Sequence, residues 1–387
     1  MGDRKYTLWE LTLYFLRLGS LGFGGPVALV GYMYRDLVEQ KGWFTEEEYK
    51  EGLALAQLAP GPLAAQLGIY IGFVHYGLLG ATLVGMAFVL PSFVMVVGLG
   101  IAYRAYGGLP WVRDVFYGVG AAVIGIITVS AYKLTIKSLG RPKLDSLKRS
   151  WMLWLFYVMA VVVTVATKQE QVMMFIACGL LYMLVKAPPD WLVRPKKFPI
   201  FILGIASFWD YSRTTLVELG LFFLKAGTFV FGSGLAIVPF LQAGVVVEHG
   251  WLNEEQFIDA VAVAMVSPGP VVITVGFIGY LVNGFPGAAI AALATFLPCY
   301  LFTVTLAPFF KRIAQNNSVK AFVDGITAPV IGSLAGAVIV ISGTSIVDVA
   351  TAIIAIGVGI TLIYVKNIKE PVIIFIAMLL GILIKNL

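Results

Sequence analysis

The tripeptide Pro-Gly-Pro occurs twice in the chain, as Pro60-Gly61-Pro62 and Pro268-Gly269-Pro270, each time inside an apolar, helix-like stretch. Proline bars the residue before it from the α region and has no N–H to donate, so a helix stops at each motif. The surroundings repeat as well. Arg17 matches Lys225, Gly19 matches Gly227, Phe23-Gly24 matches Phe231-Gly232, Gly42-Trp43 matches Gly250-Trp251 and Gly68 matches Gly276, all 208 positions apart (269 − 61, 225 − 17). After a one-residue deletion the register continues at 207: Gly72 with Gly279, Gly80 with Gly287, Pro91 with Pro298, Gly118 with Gly325, and Val123-Ile124-Gly125 with Val330-Ile331-Gly332. Chance similarity among Leu, Val and Gly runs does not hold one register through Trp, Pro and Gly anchors. A duplicated chain with a broken helix at the same place in each half carries the sequence sign of a transporter binding site.

Composition fixes the solvent. The chain is 59% hydrophobic and 12% charged, against about 25% charged in soluble domains. Apolar runs fill most of its length, which predicts an all-α polytopic membrane protein. The roughly ten-residue alternating segments of a transmembrane barrel are missing. Met1 to Thr7 is short and polar, with no cleavable signal peptide before the next apolar run. Cys178 and Cys299 both lie in apolar stretches and read as inert core or lipid-facing thiols rather than a disulfide or metal site. The net charge of +6 sits in short loops between spans, with no basic stripe carrying aromatics, so nucleic acid is excluded as a partner and the charge reads as membrane orientation.

Lys133, Lys137, Arg141, Lys143, Lys148 and Arg149 place one loop on the cytoplasmic side, and Lys186, Arg194, Lys196 and Lys197 place another. In the second half the basic loops are Lys311-Arg312 to Lys320 and Lys366 to Lys369, which correspond to loops of the first half assigned outside. Equivalent loops on opposite sides are the mark of an inverted-topology repeat, with the N-terminus cytoplasmic. Arg35, Lys41 and Lys50 fall in an outside loop against this trend, accompanied by six acids. The expected organisation is a repeat over 1–190, a linker over 191–213 and a second repeat over 214–387. That gives twelve to thirteen spans, with broken helices at Pro-Gly-Pro. An inverted pair needs an odd crossing between halves, and the candidate is Phe198 to Trp209, whose twelve residues rise only about 18 Å. A parallel duplication is the alternative.

Thr45-Glu46-Glu47-Glu48 and Asn253-Glu254-Glu255-Gln256 are capping boxes that start a helix before each break. Pro60 and Pro268 end these helices, and Pro62 and Pro270 suit the first turn of the next ones. The second half-helices then present N–H groups from Leu63, Ala64 and Ala65, and from Val271, Val272 and Ile273. Gly61 and Gly269 allow a ligand close to the backbone. A helix N-terminus carries about half a positive charge and suits an anion. Gln66 and Thr274, at matching positions, are candidate side-chain donors, as are Gln57 and Ser267. The alternative is a proline kink whose loose backbone is satisfied by neighbouring helices. A second duplicated irregular run spans Gly19 to Pro26 and Gly227 to Gly234, so Gly24, Gly25 and Gly232 join the candidates. Arg17 and Lys225 lie just before these runs, about ten residues into apolar segments, where an ionisable residue is a functional candidate and snorkelling to the interface the alternative. Glu10 pairs with Glu218 and Glu51 with Asp259; these acids read as solvated helix ends, with proton coupling as the other reading. His75 and His249 are isolated and not equivalent. No metal-ligand cluster or nucleophile–base spacing occurs, so neither enzyme activity nor a cofactor is expected.

The residues Phe15-Leu16-Arg17-Leu18-Gly19, Phe23-Gly24-Gly25-Pro26, Gly42-Trp43 and Leu58-Ala59-Pro60-Gly61-Pro62 resemble the chromate ion transporter family, and both halves resemble its duplicated domain. The resemblance implies a prokaryotic plasma-membrane protein that exports chromate, with two homologous domains in opposite orientation. Ser233-Gly234 in place of Gly25-Pro26 departs from the pattern and suggests unequal roles for the two Gly-rich breaks. Chromate and sulfate are both tetrahedral dianions, and no residue separates them. An oxyanion channel built on the same half-helices is the other functional class. A homodimer is entertained as the assembly without a residue that requires it.

Overall fold

The computed structural model describes residues 6–23, 25–141, 150–168, 172–189, 215–232, 234–310, 316–365, 368 and 370–385. The expected linker crossing at Phe198 to Trp209, Gly24, and much of the basic loops used for orientation lie outside them. The first half comprises α1 (Leu8–Leu21), α2 (Gly25–Met33) continuing as a π-helical turn over Tyr34–Gln40, α3 (Glu46–Leu58), β1 (Gly61–Pro62), α4 (Leu63–Tyr106), α5 (Pro110–Leu139), α6 (Trp151–Thr167) and α7 (Val172–Lys186). The second half comprises α8 (Thr215–Thr228), β2 (Phe231–Gly232), a 3₁₀ turn over Gly234–Ile237, α9 (Val238–Leu241), a π-helical turn over Gln242–Glu248 and α10 (Glu254–Val266). It continues with a 3₁₀ turn over Val271–Ile273, α11 (Thr274–Leu306), α12 (Asn317–Ser345), α13 (Val349–Tyr364) and α14 (Glu370–Lys385).

Helix starts follow local chemistry. Thr7 with Glu10, Thr45 with Glu48 and Asn253 with Gln256 each form a closed capping box, satisfying two backbone donors apiece. Glu10 is thereby a helix cap. The interrupted elements fold back on themselves. In α1 and α2, Tyr6 stacks on Trp43 at 4.6 Å and the Tyr14 hydroxyl donates to Asp36 at 3.3 Å. In α3 and the first arm of α4, Glu48 meets His75 at 3.2 Å and Gly52 abuts Tyr70 and Leu67. Partners thus approach in reverse sequence order, so the arms are antiparallel. Each arm of the α3–α4 break reaches only about 20 Å, from one face to the centre. This changes what the breaks contribute to the expected twelve to thirteen spans: they are hairpins whose tips meet inside the protein. Four stretches, Leu63–Tyr106, Pro110–Leu139, Val271–Phe309 and Asn317–Ser345, are long and apolar enough to cross a membrane.

Two glycines make the next reversal. Gly77 (φ 59°, ψ −149°) and Gly284 (φ 59°, ψ −153°) turn α4 and α11 into tight helical hairpins, a conformation open essentially to glycine alone. Across the turns Gly72 lies directly on the Gly80 backbone, and Gly279 on Gly287. The long second arm, residues 78–106, is about 43 Å, so its end lies on the face opposite to Glu48 and His75. There the Tyr103 hydroxyl donates to Asp259, near the middle of α10, at 2.6 Å, and Asn253, which caps α10, lines one cavity with Arg104 and Gly107. The entry of the second half therefore sits at the far end of the first, and the two halves run antiparallel, as an inverted repeat requires.

The halves also exchange their last hairpins. Gly118 and Gly125 of α5 press on Ala377 and Gly381 of α14 and on Ala355 and Val358 of α13. Gly325, Gly332 and Gly336 of α12 press on Cys178 and Gly179 of α7 and on Tyr157, Val161 and Thr164 of α6. Apolar side chains gain nothing by leaving lipid for a helix surface, so close backbone approach at small residues is what holds such crossings. The Thr164–Ser333 hydroxyl pair, 2.9 Å, joins the same interface.

The hairpin turns give a clean test. Nothing lies within 4 Å of a side chain added at Gly77 or Gly284, so backbone strain alone should act. Gly77→Ala and Gly284→Ala are each expected to lose about 1–3 kcal/mol, read as a lower Tm in detergent. Gly98→Ala, equally uncrowded and without a positive φ, should hold or slightly raise Tm.

Candidate functional site

Four interrupted segments meet at the centre. α3 ends at Ala59, which precedes Pro60 and is extended (φ −84°, ψ 144°), as a residue before proline must be. Gly61 follows at φ 145°. Pro62 holds the N-cap position of α4 (φ −66°, ψ 115°) with no capping side chain, one residue before the first-turn position expected for it. In the second half Ser267 ends α10, Gly269 has φ 88° and Pro270 caps the next turn.

Each tip pairs with the Gly-rich tip of the other half. The Gly61 N–H donates to Val230 O at 2.5 Å, and Gly61 and Pro62 lie parallel to Phe231 and Gly232 in a two-residue bridge. At the equivalent place the Gly269 N–H donates to Gly22 O at 2.9 Å. The pseudo-twofold relation thus swaps partners: the Pro-Gly-Pro of one half binds the Gly-rich run of the other. Gly25 opens α2 at φ 70°, three residues after Gly22 and followed by Pro26.

Ser92, which the sequence did not single out, ties three of the segments. Its hydroxyl lies 2.7 Å from Pro268 O and 3.3 Å from Gly19 O. It follows Pro91, whose missing N–H frees the Ala87 carbonyl, and Gly19 packs directly on the Ala87–Phe88 backbone. The equivalent position is Cys299, fully buried against Gly61. The one available signal was the Pro91–Pro298 match that precedes each residue.

The expected side-chain donors are turned inward. Gln66 Nε2 donates to Pro60 O at 2.8 Å, leaving its buried Oε1 without a protein partner. The Thr274 hydroxyl donates to Val271 O at 2.8 Å, and Ser267 to Ala264 O at 3.0 Å. Gln57 is exposed. Gln66 and Ser267 thus satisfy carbonyls at the breaks, while Thr274 adds its hydroxyl to a Val271 carbonyl that already accepts the Thr274 N–H. The Ile273 N–H is likewise taken by Pro270 O at 2.9 Å, so the first turn of the second half is 3₁₀ and offers fewer open donors than Leu63, Ala64 and Ala65 of α4. All of these residues are buried. The two helix N-termini therefore bring positive dipole ends to a water-poor centre. Arg17 and Lys225 lie two residues before Gly19 and Gly227, on the exposed sides of α1 and α8. The Lys225 ammonium sits 5.8 Å from the Phe240 ring. Neither is placed against the tips.

Comparison with known proteins agrees with this architecture. The chromate transporter family pattern matches residues 9–183 and 217–382. A chromate transport protein of Cupriavidus metallidurans is 59% identical over 97% of this chain and 93% of its own length. A probable chromate transport protein of Synechococcus elongatus is 53% identical over 98% of this chain and 96% of its own. No solved structure matches the chain. Transport across a membrane, rather than catalysis, is the class of activity.

The Ser92 knot makes a double-mutant prediction. A side chain on Gly269 would collide with the Ser92 hydroxyl and adopt a positive φ, whereas Ser92→Ala removes the bonds to Pro268 and Gly19. Each single change is expected to destabilise the protein. Together they should cost less than the sum, with a coupling of about 0.5–3 kcal/mol in thermal unfolding; strict additivity would deny the contact.

Proposed function

The chain belongs to the chromate transporter family, and on that premise we propose that it exports chromate across the prokaryotic inner membrane as a secondary transporter. The observation that carries this reading is the crossing of the breaks, where two helix N-termini from antiparallel halves converge at one buried centre. Dipole ends and bare backbone donors suit a tetrahedral oxyanion, and the relatives named above are described as chromate transport proteins. Binding uses the N–H groups at Leu63 to Ala65 and Val271 to Val272 once the crossed tips part. Pro60, Gly61, Pro62, Pro268, Gly269 and Pro270 shape those ends, and Gly25 and Gly232 keep the opposing tips slender. Gln66 and Thr274 hold the breaks open by capping their carbonyls.

Arg17 and Lys225 supply compensating charge when the halves rock and their helices turn toward the anion. Rocking of one half on the other around a fixed central site provides alternating access. The basic loops put the N-terminus in the cytoplasm. Sulfate, of the same shape and charge, is the second substrate to weigh, and a channel is the second mode.

Uptake of chromate and sulfate into liposomes tests the reading. Wild type should take up chromate, and Arg17→Ala and Lys225→Ala should each reduce the rate by about ten- to a hundredfold, the worth of a charged hydrogen bond. Undiminished transport by both variants removes the cations from the mechanism. Internal chromate should accelerate entry of labelled chromate, as a carrier does and a channel does not.

A further inference from the structure

On the face reached by the end of α4, the two halves enclose a cavity of about 450 Å³ that the anion site does not use. Asp259 of α10 lies in its wall and is only 4% exposed. Its carboxylate accepts the Tyr103 hydroxyl of the first half at 2.6 Å, and no salt bridge to it occurs among the described residues. A carboxylate drawn out of water without a cation on it is held by its hydrogen bonds or takes a proton. Arg104 of α4 and Arg113 of α5 line the same cavity, both exposed at the rim. Glu255 lies one turn earlier on Asp259's own helix, and His249 stacks on Trp251 of the rim at 4.2 Å. Lys385 of α14 is held over the Tyr117 ring. The cavity thus has cations at its mouth and a lone carboxylate at depth.

The opposite mouth is built differently, although the positions correspond. Phe310 replaces Tyr103 (310 − 103 = 207) and Glu51 replaces Asp259 (259 − 51 = 208). A phenylalanine has no hydroxyl to offer Glu51. Of these two equivalent pairs, the bond at Asp259 alone joins one half to the other. A hydrogen bond to an ionised carboxylate is about twice as strong as a neutral one, so a proton on Asp259 loosens this contact and its loss tightens it.

We propose that Asp259 is a proton-binding site linked to opening of this mouth, taking a proton from cavity water as the halves part and returning it as they close. The idea rests on the transporter reading, in which the mouth must open and shut in each cycle, and it makes that opening depend on pH. Its test separates it from the identity of the anion.

A thiol introduced as Leu281→Cys, on the cavity wall, is labelled with a maleimide in purified protein without any anion; Cys178 and Cys299 are buried. Each rate, for wild type and variants alike, is divided by that of free cysteine at the same pH, which removes the thiol's own ionisation; so normalised, labelling should accelerate about tenfold from about pH 8 to about pH 5. With Asp259→Asn the rate should become independent of pH, and Tyr103→Phe, which deletes only the hydroxyl, should be fast at every pH. His249→Gln should keep the wild-type dependence. A flat wild-type profile, a dependence that survives in Asp259→Asn, or one abolished by His249→Gln overturns the proposal. If labelling behaves as expected but wild type moves no chromate, the substrate reading fails and the proton site stands.

Discussion

Inside a bilayer an unpaired backbone N–H or C=O has no water to turn to, and each costs several kcal/mol. Every interrupted helix in this protein creates such groups at the depth where they are most expensive. The structure meets the demand by reciprocal pairing: Gly61 bonds Val230 and Gly269 bonds Gly22, so each half completes the other's broken backbone. The carbonyls of Pro268 and Pro60 fall to Ser92 and Gln66. The antiparallel arrangement follows from the same need, because a Pro-Gly-Pro tip from one face must meet a Gly-rich tip from the other.

Much of this was legible in the sequence, for identifiable reasons. Proline and glycine announce where a helix stops, and a fixed 208-residue spacing (269 − 61) announces that it stops twice. Loop charges gave the inversion because Lys and Arg in short loops respond to topology. The fold-back of each broken element was hidden, since hydrophobic periodicity says which face is apolar and nothing of the direction in which the next arm leaves. The pairing between halves was hidden for a related reason: it is backbone to backbone, and no side chain records it. Gln66 and Thr274 read as donors to a ligand when their nearest acceptor is a carbonyl of their own chain.

The duplication keeps the places of its breaks and hairpin turns and is loose in chemistry. Ser92 and Cys299 occupy one pair of equivalent places, and Tyr103 and Phe310 another. In each case the first half supplies a hydroxyl and the second a group with little or no capacity to donate. Two copies of one fold have kept the glycines of their Pro-Gly-Pro breaks and hairpin turns while their hydrogen bonds diverged. A device that must favour opening to one side before the other requires such inequality, since perfect symmetry gives both states equal energy.

The exchanged hairpins bear on how the chain is made. α6 and α7 are synthesised with their small-residue seam facing lipid, because α12, which covers it, is completed roughly 160 residues later. At about 5–20 residues per second that wait is on the order of ten to thirty seconds. Throughout it the first half sits in the membrane with its Gly-rich tips unpaired and its last hairpin unclaimed. Translation pace, the insertion machinery and the chaperones that shield half-made membrane proteins thus become part of the protein's folding requirements.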